Sequence, residues 1–496
     1  MKKPLFIGTD IGTQGTKSVI TDENGKILGS GFTASDIIRG ENGSVTENPA
    51  DIFNSVIVSV RKAVEASGIP YPEITGFGID GQMAGIMGID SDFEPVGPLD
   101  SWLDSRSEPY AEFLREKAEK ACVVKSGGQV INSHAAKILR IMKTEPELYG
   151  KISKFVMPNG FAAGKLCGLS AESAFMDYTF LHFNNFSDNL KKRFNREALD
   201  FFKVDRTKMP RVCAPGDIIG KVLPKYAELM GISGDINVIA GCGDTAASSL
   251  GAGIVSPGLA YDVAGTASVF ACCTDRYAPD TENRTVLFSR SIIDGLYLPL
   301  SYITGGGLTL KWFSELVKAE LSGLDRKAAE CSSKLFFIPH FSGRAFPPDA
   351  RLNGAFAGLD GAAGEGEMFR AVMESVGFEY KGYLEVMQSC GCIERLKAVR
   401  CVGGGAKSPV FCKIKADILG ADYIASEHIC SAPQAVARLA AYSLGYSGTD
   451  IRREFEITGE GSLIKHSPAA KQAYDKRYIS YKRLLNNYSD FLAEEC

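Results

Sequence analysis

The chain has few histidines and tryptophans and no surplus of positive charge. Its 496 residues include five histidines and two tryptophans, and its 55 Lys and Arg face 59 Asp and Glu, for a net charge of −4. Nucleic-acid-binding proteins usually carry a basic excess or a basic stripe, and this sequence has neither. The composition therefore argues against a nucleic-acid partner.

The thirteen cysteines form no repeating frame. The close pairs are Cys272-Cys273 and Cys390-Gly391-Cys392, and no histidine stands near either of them. Zinc sites need cysteine or histidine pairs at matched spacings. We therefore expect free thiols in a reducing compartment, and neither a zinc site nor a disulfide framework.

Long hydrophobic runs are also missing. The longest uncharged stretch, residues 245–261, is rich in Gly, Ala and Ser and contains Pro257, which is not typical of a membrane helix. The first ten residues hold an apolar run of only four residues, too short for a signal peptide. These features predict a cytoplasmic protein without a membrane segment.

Glycine, by contrast, is abundant at 53 residues and clusters in short loops. At ~150 residues per domain, the length predicts two to four domains. A strand, a Gly-Thr turn and a second strand occur twice, with the turns at residues 10–13 and 262–266. A repeat at this distance predicts two similar domains that face each other across a cleft. We place them at residues 1–240 and 241–496.

Local patterns predict several elements around these turns. Apolar residues recur every four positions over residues 52–64 and predict a helix that ends at Gly68. Residues 74–79 predict a buried strand that leads into the loop at residues 81–85. A further helix is predicted at residues 408–420, with serine as its N-cap, proline in its first turn and glycine at its end.

Three glycine-rich segments are candidates for binding phosphate, because N–H groups exposed by glycine turns and helix N-termini bind phosphate oxygens. They lie at residues 12–15, 265–268 and 404–408, each with a hydroxyl side chain, and Lys17 follows the first. None of them matches a P-loop or a Rossmann fingerprint. For any one of these loops a plain hairpin turn remains the alternative.

Three carboxylates stand at positions that suit phosphoryl transfer to a sugar. Asp10 ends a predicted strand at the first loop, where it would repel phosphate unless a cation such as Mg²⁺ lay between them. Asp244 lies among small residues and suits the group that orients the acceptor hydroxyl. Asp104 and Arg106 follow Trp102, a combination typical of sugar sites. The alternatives are a turn-forming aspartate, a helix N-cap and a surface ion pair, respectively.

These segments resemble the FGGY carbohydrate kinases, particularly their xylulokinase-like branch, over nearly the whole chain. The most specific likeness is GAFAGLDGAAGEGEMFRAVMES, which fits the C-terminal signature of that family. The other similar segments are GTDIGTQGTK, GQMAG, WLDSR, GCGDTAASSLGAG, AGTAS, FIPHFSGRAFPPDARLNGAFAGL and VGGGAKSPVFCKIKADILG.

The resemblance implies an α/β fold of two actin-like, ribonuclease-H-like ATPase domains with a central nucleotide and sugar cleft, in which ATP and Mg²⁺ serve to phosphorylate a sugar hydroxyl. It implies Asp244 as the base, Asp10 as the residue that helps hold Mg²⁺, and a homodimer. Separately, we expect the last helix of the C-terminal domain to pack on the N-terminal domain. The residues implied for ATP are Thr13, Gln14, Lys17, Gly265, Thr266, Gly306, Gly404, Gly405, Ala406 and Ser408. Those implied for the sugar are Gln82, Met83, Trp102, Asp104, Asp177 and Asp244, with a surface aspartate as the alternative for Asp177.

Three departures from the family pattern affect what the chain is expected to bind. Ala84 stands where xylulokinases usually have a histidine, Arg140 where the family usually has tryptophan, and residues 431–441 lack the usual Gly-Ala-Leu-Gly helix start. The expected acceptor is a ketose such as D-xylulose, and L-ribulose, L-fuculose, gluconate or a polyol such as erythritol stay open. An actin-like scaffold ATPase and a catalytically silent homologue are the other hypotheses; the retained Asp10 and Asp244 argue against the silent one.

Overall fold

The computed structural model describes residues 3–265, 267–426, 430–457 and 461–494. Thr266, an implied phosphate contact, lies outside them. The described residues form a mixed α/β structure with two separate seven-stranded sheets, which confirms the predicted fold class. None of the helices in these residues has the length and apolar character needed to cross a membrane.

The strands, in chain order, are β1 (Leu5–Gly12), β2 (Gly15–Asp22), β3 (Ile27–Ala34), β4 (Ile38–Arg39), β5 (Val45–Glu47), β6 (Ile74–Gly81), β7 (Met87–Ile89), β8 (Leu99–Asp100), β9 (Lys154–Val156), β10 (Phe175–Asp177), β11 (Ser187–Asp188), β12 (Arg193–Phe194), β13 (Arg211–Cys213), β14 (Ile218–Lys221), β15 (Asn237–Ile239), β16 (Cys242–Gly243), β17 (Leu259–Ala264), β18 (Ser268–Cys272), β19 (Leu287–Arg290), β20 (Tyr297–Ile303), β21 (Phe336–Ile338), β22 (Ala355–Ala357), β23 (Ala398–Val402), β24 (Tyr423–Ala425) and β25 (Ser462–Ile464).

The helices are α1 (Pro49–Ser67), α2 (Glu108–Ser126), α3 (His134–Thr144), α4 (Pro146–Lys151), α5 (Pro158–Cys167), α6 (Arg196–Phe201), α7 (Pro224–Met230), α8 (Asp244–Gly251), α9 (Gly306–Val317), α10 (Leu321–Ala329), α11 (Glu365–Ser389), α12 (Pro409–Leu419), α13 (Ala432–Ser443), α14 (Ile451–Phe455) and α15 (Pro468–Glu494). Short 3₁₀ turns occupy Ala171–Ser173, Tyr178–Phe183, Arg206–Lys208 and Gly404–Lys407.

The chain divides into two compact units. Unit 1 comprises Met1–Gly253, Ser289–Gly295 and Cys430–Glu456, and unit 2 comprises Ile254–Phe288, Leu296–Ile429 and Ile457–Cys496. Unit 1 therefore runs beyond the boundary expected at residue 240 and includes Asp244, because β16 pairs with β6 and carries that segment into the first sheet. The last helix, α15, groups with unit 2, where it packs on α12.

The sheet of unit 1 has the order β14-β15-β6-β1-β2-β3, and β16 also pairs with β6. Strands β1, β2 and β3 are antiparallel neighbours, as the first predicted hairpin requires, and β6 runs parallel to β1. Helix α1 covers this sheet. It starts where the Asn48 side chain accepts from the Ala50 N–H, and it ends at Gly68, whose φ of 66° is the left-handed conformation that glycine adopts readily. The prediction of this helix is confirmed.

Helix α13 lies directly on the first sheet although it comes late in the chain. A Cβ atom at Gly8 would lie 1.7 Å from the Pro433 carbonyl oxygen, and one at Gly78 would lie 2.6 Å from that of Val436. Only glycine leaves room for this close approach. At the atypical start of the helix, the Gln434 side chain accepts from the Ser431 N–H at 3.3 Å, so a side chain replaces the glycine-rich start of the family.

The sheet of unit 2 has the order β19-β20-β18-β17-β23-β24-β25. Its β17–β18 hairpin is antiparallel, and β23 lies parallel to β17 on the other side. This arrangement matches β1–β2 with β6 in unit 1, which confirms the predicted strand–turn–strand repeat. The long helix α11 and helices α10, α12 and α15 pack together in the same unit and share its main hydrophobic core.

Candidate active site

Two carboxylates meet at the ends of neighbouring parallel strands in unit 1. Asp10 on β1 is in register with Asp80 on β6, and Cys242 on β16 is in register with Asp80 on the other side. Side chains in register on adjacent strands project from the same face of a sheet. The carboxyl groups of Asp10 and Asp80 touch. The charge of Asp244, the first residue of α8, acts on Asp80, and the charge of Asp10 acts on Asp244.

The proximity of these carboxylates makes Asp80 and Asp244 harder to ionise. Burial, followed by the charge of Asp10 and then of Asp244, raises the pKa of Asp80 well above its usual range. Burial and then Asp10 raise the pKa of Asp244 to about 7, although its side chain accepts from the backbone N–H and hydroxyl of Thr245. Burial also raises the pKa of Asp10, an effect that the contact with Asp80 and then the charge of Lys17 partly offset.

Several carboxylate oxygens of Asp10 and Asp80 have no hydrogen-bond partner among the described residues. Oδ1 of Asp10 and both oxygens of Asp80 are buried and find no donor in the described parts of the chain. Two carboxylates in contact form a hydrogen bond only when one of them carries a proton. The cluster therefore requires either a shared proton or a cation, because like charges this close cannot both stay ionised.

Asp177 is a further buried carboxylate of unit 1, so the surface alternative for it is wrong. It is 1% exposed and accepts from the N–H and the hydroxyl of Thr179, while burial raises its pKa to about 7. The Thr179 hydroxyl in turn accepts from the Gly243 N–H at 2.9 Å. Thr179 thus links Asp177 to the backbone immediately before Asp244.

The loop that follows Asp80 carries the implied sugar residues Gln82 and Met83. Gln82 is 2% exposed, and its Nε2 donates to the two carboxylate oxygens of Glu47 at 2.9 and 3.0 Å. Burial raises the pKa of Glu47. Trp102 is 46% exposed, and its indole Nε1 donates to the hydroxyl of Thr13, an implied phosphate contact, at 2.8 Å.

Asp104, also implied for the sugar, is fully buried and takes part in local structure. Its carboxylate accepts from the Val45 N–H at 2.8 Å and from the N–H and Nε of Arg106 at 3.0 and 2.8 Å. The Arg106 guanidinium also pairs with Asp100, as does Arg140, each at 2.6 Å. Arg140, in the place of the usual tryptophan, therefore neutralises a buried carboxylate together with Arg106.

In unit 2 the structure brings the implied nucleotide loops together. The N–H of Gly307, next to Gly306 at the start of α9, donates to the Gly265 carbonyl at 3.0 Å. Gly403 has a φ of 84°, and a Cβ there would lie 3.0 Å from the Ala264 carbonyl, so the loop that contains Gly404, Gly405 and Ala406 lies against the second Gly-Thr turn. Ser408 caps α12 by accepting from the Phe411 N–H at 3.1 Å, as predicted.

Three side chains of the site were not found by sequence reasoning. Asp80 could have been found as the charged residue near the end of the otherwise uncharged segment ITGFGIDG. Glu47, which contacts Gln82, and His134, whose Nε2 lies 2.8 Å from the Met83 carbonyl, come from distant segments. No sequence signal joins them to the loop.

Among the described residues no group of three or more His, Cys, Asp or Glu side chains has the geometry to hold a metal ion by itself.

The fold and the ordered glycine loops match one protein family. Its N-terminal profile, "FGGY family of carbohydrate kinases, N-terminal domain", matches residues 5–251, and the C-terminal domain of the same family matches residues 260–443. The chain belongs to the FGGY family of carbohydrate kinases.

Individual relatives are similar along their full length. A xylulose kinase of Bacillus subtilis (strain 168) is 25% identical over 98% of this chain and 97% of its own length. A gluconokinase of the same organism is 24% identical, over 99% and 98%. The crystal structure of a ligand-bound xylulose kinase from Lactobacillus acidophilus, 21% identical, matches 99% of this chain and all of its own with a TM-score of 0.91, which shows a shared fold.

Proposed function

We propose that this carbohydrate kinase transfers the γ-phosphoryl group of ATP to a hydroxyl of a ketose such as D-xylulose, with Asp244 as the base. The observation that carries the proposal is the partly buried Asp244 carboxylate at the start of α8, whose pKa is raised to about 7 by desolvation and by Asp10. A general base works best when its pKa lies near the operating pH. The similarity to a xylulose kinase over nearly the whole chain supports the ketose acceptor.

In this mechanism Asp244 accepts the proton of the acceptor hydroxyl as that oxygen attacks phosphorus. Its position at the start of α8 keeps the carboxylate fixed, since one of its oxygens is held by the N–H and hydroxyl of Thr245. Gln82 and Met83 would orient the acceptor, and Trp102, with its indole N–H on Thr13, would cover it. Asp104 and Asp177 would act on the sugar through the loops that they hold in place.

Asp10 and Asp80 fit a divalent cation. Their buried oxygens find no donor among the residues that the structure describes, and Mg²⁺ is commonly held by one or two carboxylates together with phosphates and water. Bound there, Mg²⁺ would supply positive charge to the phosphates of ATP. Thr13, Gln14 and Lys17 of the first hairpin, and Gly265, Thr266, Gly306, Gly404, Gly405, Ala406 and Ser408 of unit 2, would contact the nucleotide, mainly through N–H groups and hydroxyls.

The charges of unit 1 favour an uncharged acceptor over gluconate. Asp10, Glu47, Asp80, Asp177 and Asp244 are carboxylates of this site, and the pKa of each is raised by burial. An aldonate would place its own carboxylate in the environment that already disfavours the ionised form of these groups, which costs free energy unless a cation pairs with it. Ketoses and polyols, including L-ribulose, L-fuculose and erythritol, are uncharged and do not carry this cost. They therefore stay the alternative acceptors.

A coupled assay of ADP release tests the proposal. Mg·ATP is offered with D-xylulose, L-ribulose, L-fuculose, erythritol and gluconate, and with no acceptor. We expect turnover with a neutral acceptor and none without one. Turnover without any acceptor would indicate a plain ATPase, and turnover with gluconate alone would overturn the charge argument. Silence with every acceptor, while ATP still binds, would favour a catalytically silent homologue.

We infer a cytoplasmic protein, because the twelve cysteines in the described residues are free thiols and such thiols persist in reducing compartments. The homodimer that the family resemblance implies stays a prediction. Light scattering coupled to size-exclusion chromatography would measure the mass of the particle and decide between a monomer and a dimer.

A further inference from the structure

Two fully buried histidines of unit 1 take no direct part in this chemistry. His134 is the first residue of α3 and His182 lies in the 3₁₀ turn Tyr178–Phe183; they are 0% and 1% exposed. Both rings lie near the ring of Phe183, at centroid distances of 6.4 and 4.2 Å. Each histidine contacts a carbonyl in a segment that bears on the proposed reaction.

His134 holds the loop that contains Gln82 and Met83. Its Nε2 lies 2.8 Å from the Met83 carbonyl oxygen, and the Gly85 backbone makes a weaker contact with the same ring. A carbonyl oxygen only accepts, so Nε2 carries the hydrogen of this bond. Burial lowers the pKa of His134 to about 4, which leaves a neutral ring with that one N–H. Between Met83 and Gly85, Ala84 offers no polar side chain with which the loop could hold itself.

His182 holds the turn that supports Asp244. Its Nδ1 lies 3.1 Å from the Thr179 carbonyl oxygen, and burial lowers its pKa to about 3, so it too is a neutral ring with one donated N–H. The hydroxyl of the same Thr179 accepts from the Gly243 N–H, next to Asp244. The position of this turn therefore bears directly on the position of Asp244.

We propose that His134 and His182 are positioning residues. Each donates one N–H to a backbone carbonyl, and together they hold the acceptor loop and the Asp244 segment beside the ring of Phe183. This inference rests on the proposed function, because it takes the loop at Gln82–Gly85 as the acceptor site and Asp244 as the base. The two side chains touch neither reactant; they set the geometry between acceptor and base.

Two matched pairs of variants test the donated N–H groups. In His134→Gln the side-chain amide replaces Nε2–H, whereas His134→Met keeps the volume and loses the donor. In His182→Asn the amide replaces Nδ1–H, whereas His182→Leu loses it. We expect His134→Met to raise the KM for the acceptor about 10-fold and His182→Leu to lower kcat about 10-fold, which corresponds to one lost hydrogen bond. The KM for ATP should stay unchanged, and both amide variants should restore most of the loss.

A second readout does not depend on turnover. Hydrogen exchange of the peptide that covers residues 81–87 should become faster in His134→Met and stay at the wild-type rate in His134→Gln. If His134→Met does not fold, His134→Asn, whose amide is too short to reach the Met83 carbonyl, takes its place.

Equal exchange and equal kinetic losses in the donor and non-donor variants, or a parallel rise in the KM for ATP, would overturn the proposal. If the wild type phosphorylates no acceptor, the proposed function fails, and hydrogen exchange alone still decides whether the histidines hold the loop.

Discussion

Unit 2 buries its carboxylates beside cations, whereas unit 1 buries several of its carboxylates beside one another. In unit 2, Asp262 pairs with Lys415, and both are 0% exposed. Glu379 pairs with Arg344 at 3.0 Å. Although burial raises the pKa of Glu379, Arg344 and His340 lower it to about 2. These charges are compensated within the protein.

In unit 1 the negative charges of Asp10 and Asp244 repel that of Asp80 and raise its pKa. Lys17 is the cation that acts on Asp10. Uncompensated buried charge lowers stability, and it is tolerated mainly where function needs it. The difference therefore indicates that the ion pairs of unit 2 serve its structure. Under the proposed function, the carboxylates of unit 1 would receive a proton and a cation that arrive with the substrates.

The largest expected effect is the loss of activity in Asp244→Asn. The amide cannot accept the proton of the acceptor hydroxyl, so kcat should fall by about 10³-fold. The coupled ADP assay with the best acceptor measures this loss. Asp235→Asn, which removes an exposed carboxylate of the same unit, is the control and should keep wild-type kcat. A normal kcat in Asp244→Asn would refute its role as the base.

The next effect concerns a compensated pair of unit 2. Asp262→Asn leaves the Lys415 ammonium buried without its partner, and the free energy of unfolding should fall by about 3–5 kcal/mol. Replacing both residues together, by Asp262→Leu and Lys415→Met, should recover most of it. Urea unfolding measures the change. On helix α9 of the same unit, Lys311→Met breaks an exposed pair with Glu315 and should cost about 1 kcal/mol or less. Similar losses for Asp262→Asn and for the variant of the exposed pair would remove the contrast between the pairs.

The third effect is a dependence of stability on pH that comes from Asp177. Its pKa is raised by burial from 3.8 to about 7 in the folded protein. Between these values the folded state keeps a proton that the unfolded chain has lost, so stability falls as the pH rises through this window, by a few kcal/mol in total. Urea unfolding at about pH 5 and about pH 8 should show a smaller difference in Asp177→Asn than in the wild type. An unchanged difference would contradict the raised pKa.

The smallest effect tests the electrostatic repulsion among the neighbouring carboxylates of unit 1. Asp80→Asn removes one of the mutually repelling carboxylates, and the protein without ligands should become more stable by about 1 kcal/mol. Added Mg²⁺ with a non-hydrolysable ATP analogue should then raise the melting temperature less than it does for the wild type. Thermal unfolding with and without these ligands measures both changes. Asp92→Asn, at an exposed position, should change neither of them.

Much of the fold follows from local sequence. The Gly-Thr turns predicted both hairpins, and Gly68 and Ser408 predicted a helix end and a helix start, because turn and cap residues act within a few positions of the backbone they satisfy. The placement of α13 on the first sheet did not follow, since it depends on how Gly8 and Gly78 accept a helix from far along the chain.

The candidate site divides in the same way. Asp10, Asp244 and the glycine loops were predicted because each stands within a recognisable local motif. Asp80 and His134 were not predicted, because their importance depends on neighbours from other segments. Asp80 lies beside Asp10 of the adjacent strand, and His134 lies beside the Met83 carbonyl. Asp104 was expected at the sugar, which stays a prediction; its contacts with Val45 and Arg106, from a distant strand and the following turn, could not be predicted from its local motif.

The sequence by itself determined the fold class, the repeated hairpins, the glycine loops and the family, since these depend on residue type at short spacing. The tertiary structure decided which side chains share one environment. It put the carboxylates of Asp10, Asp80 and Asp244 within reach of one another and the thiol of Cys242 among them. Burial and mutual repulsion, the forces that raise these pKa values, exist only once distant segments are packed together.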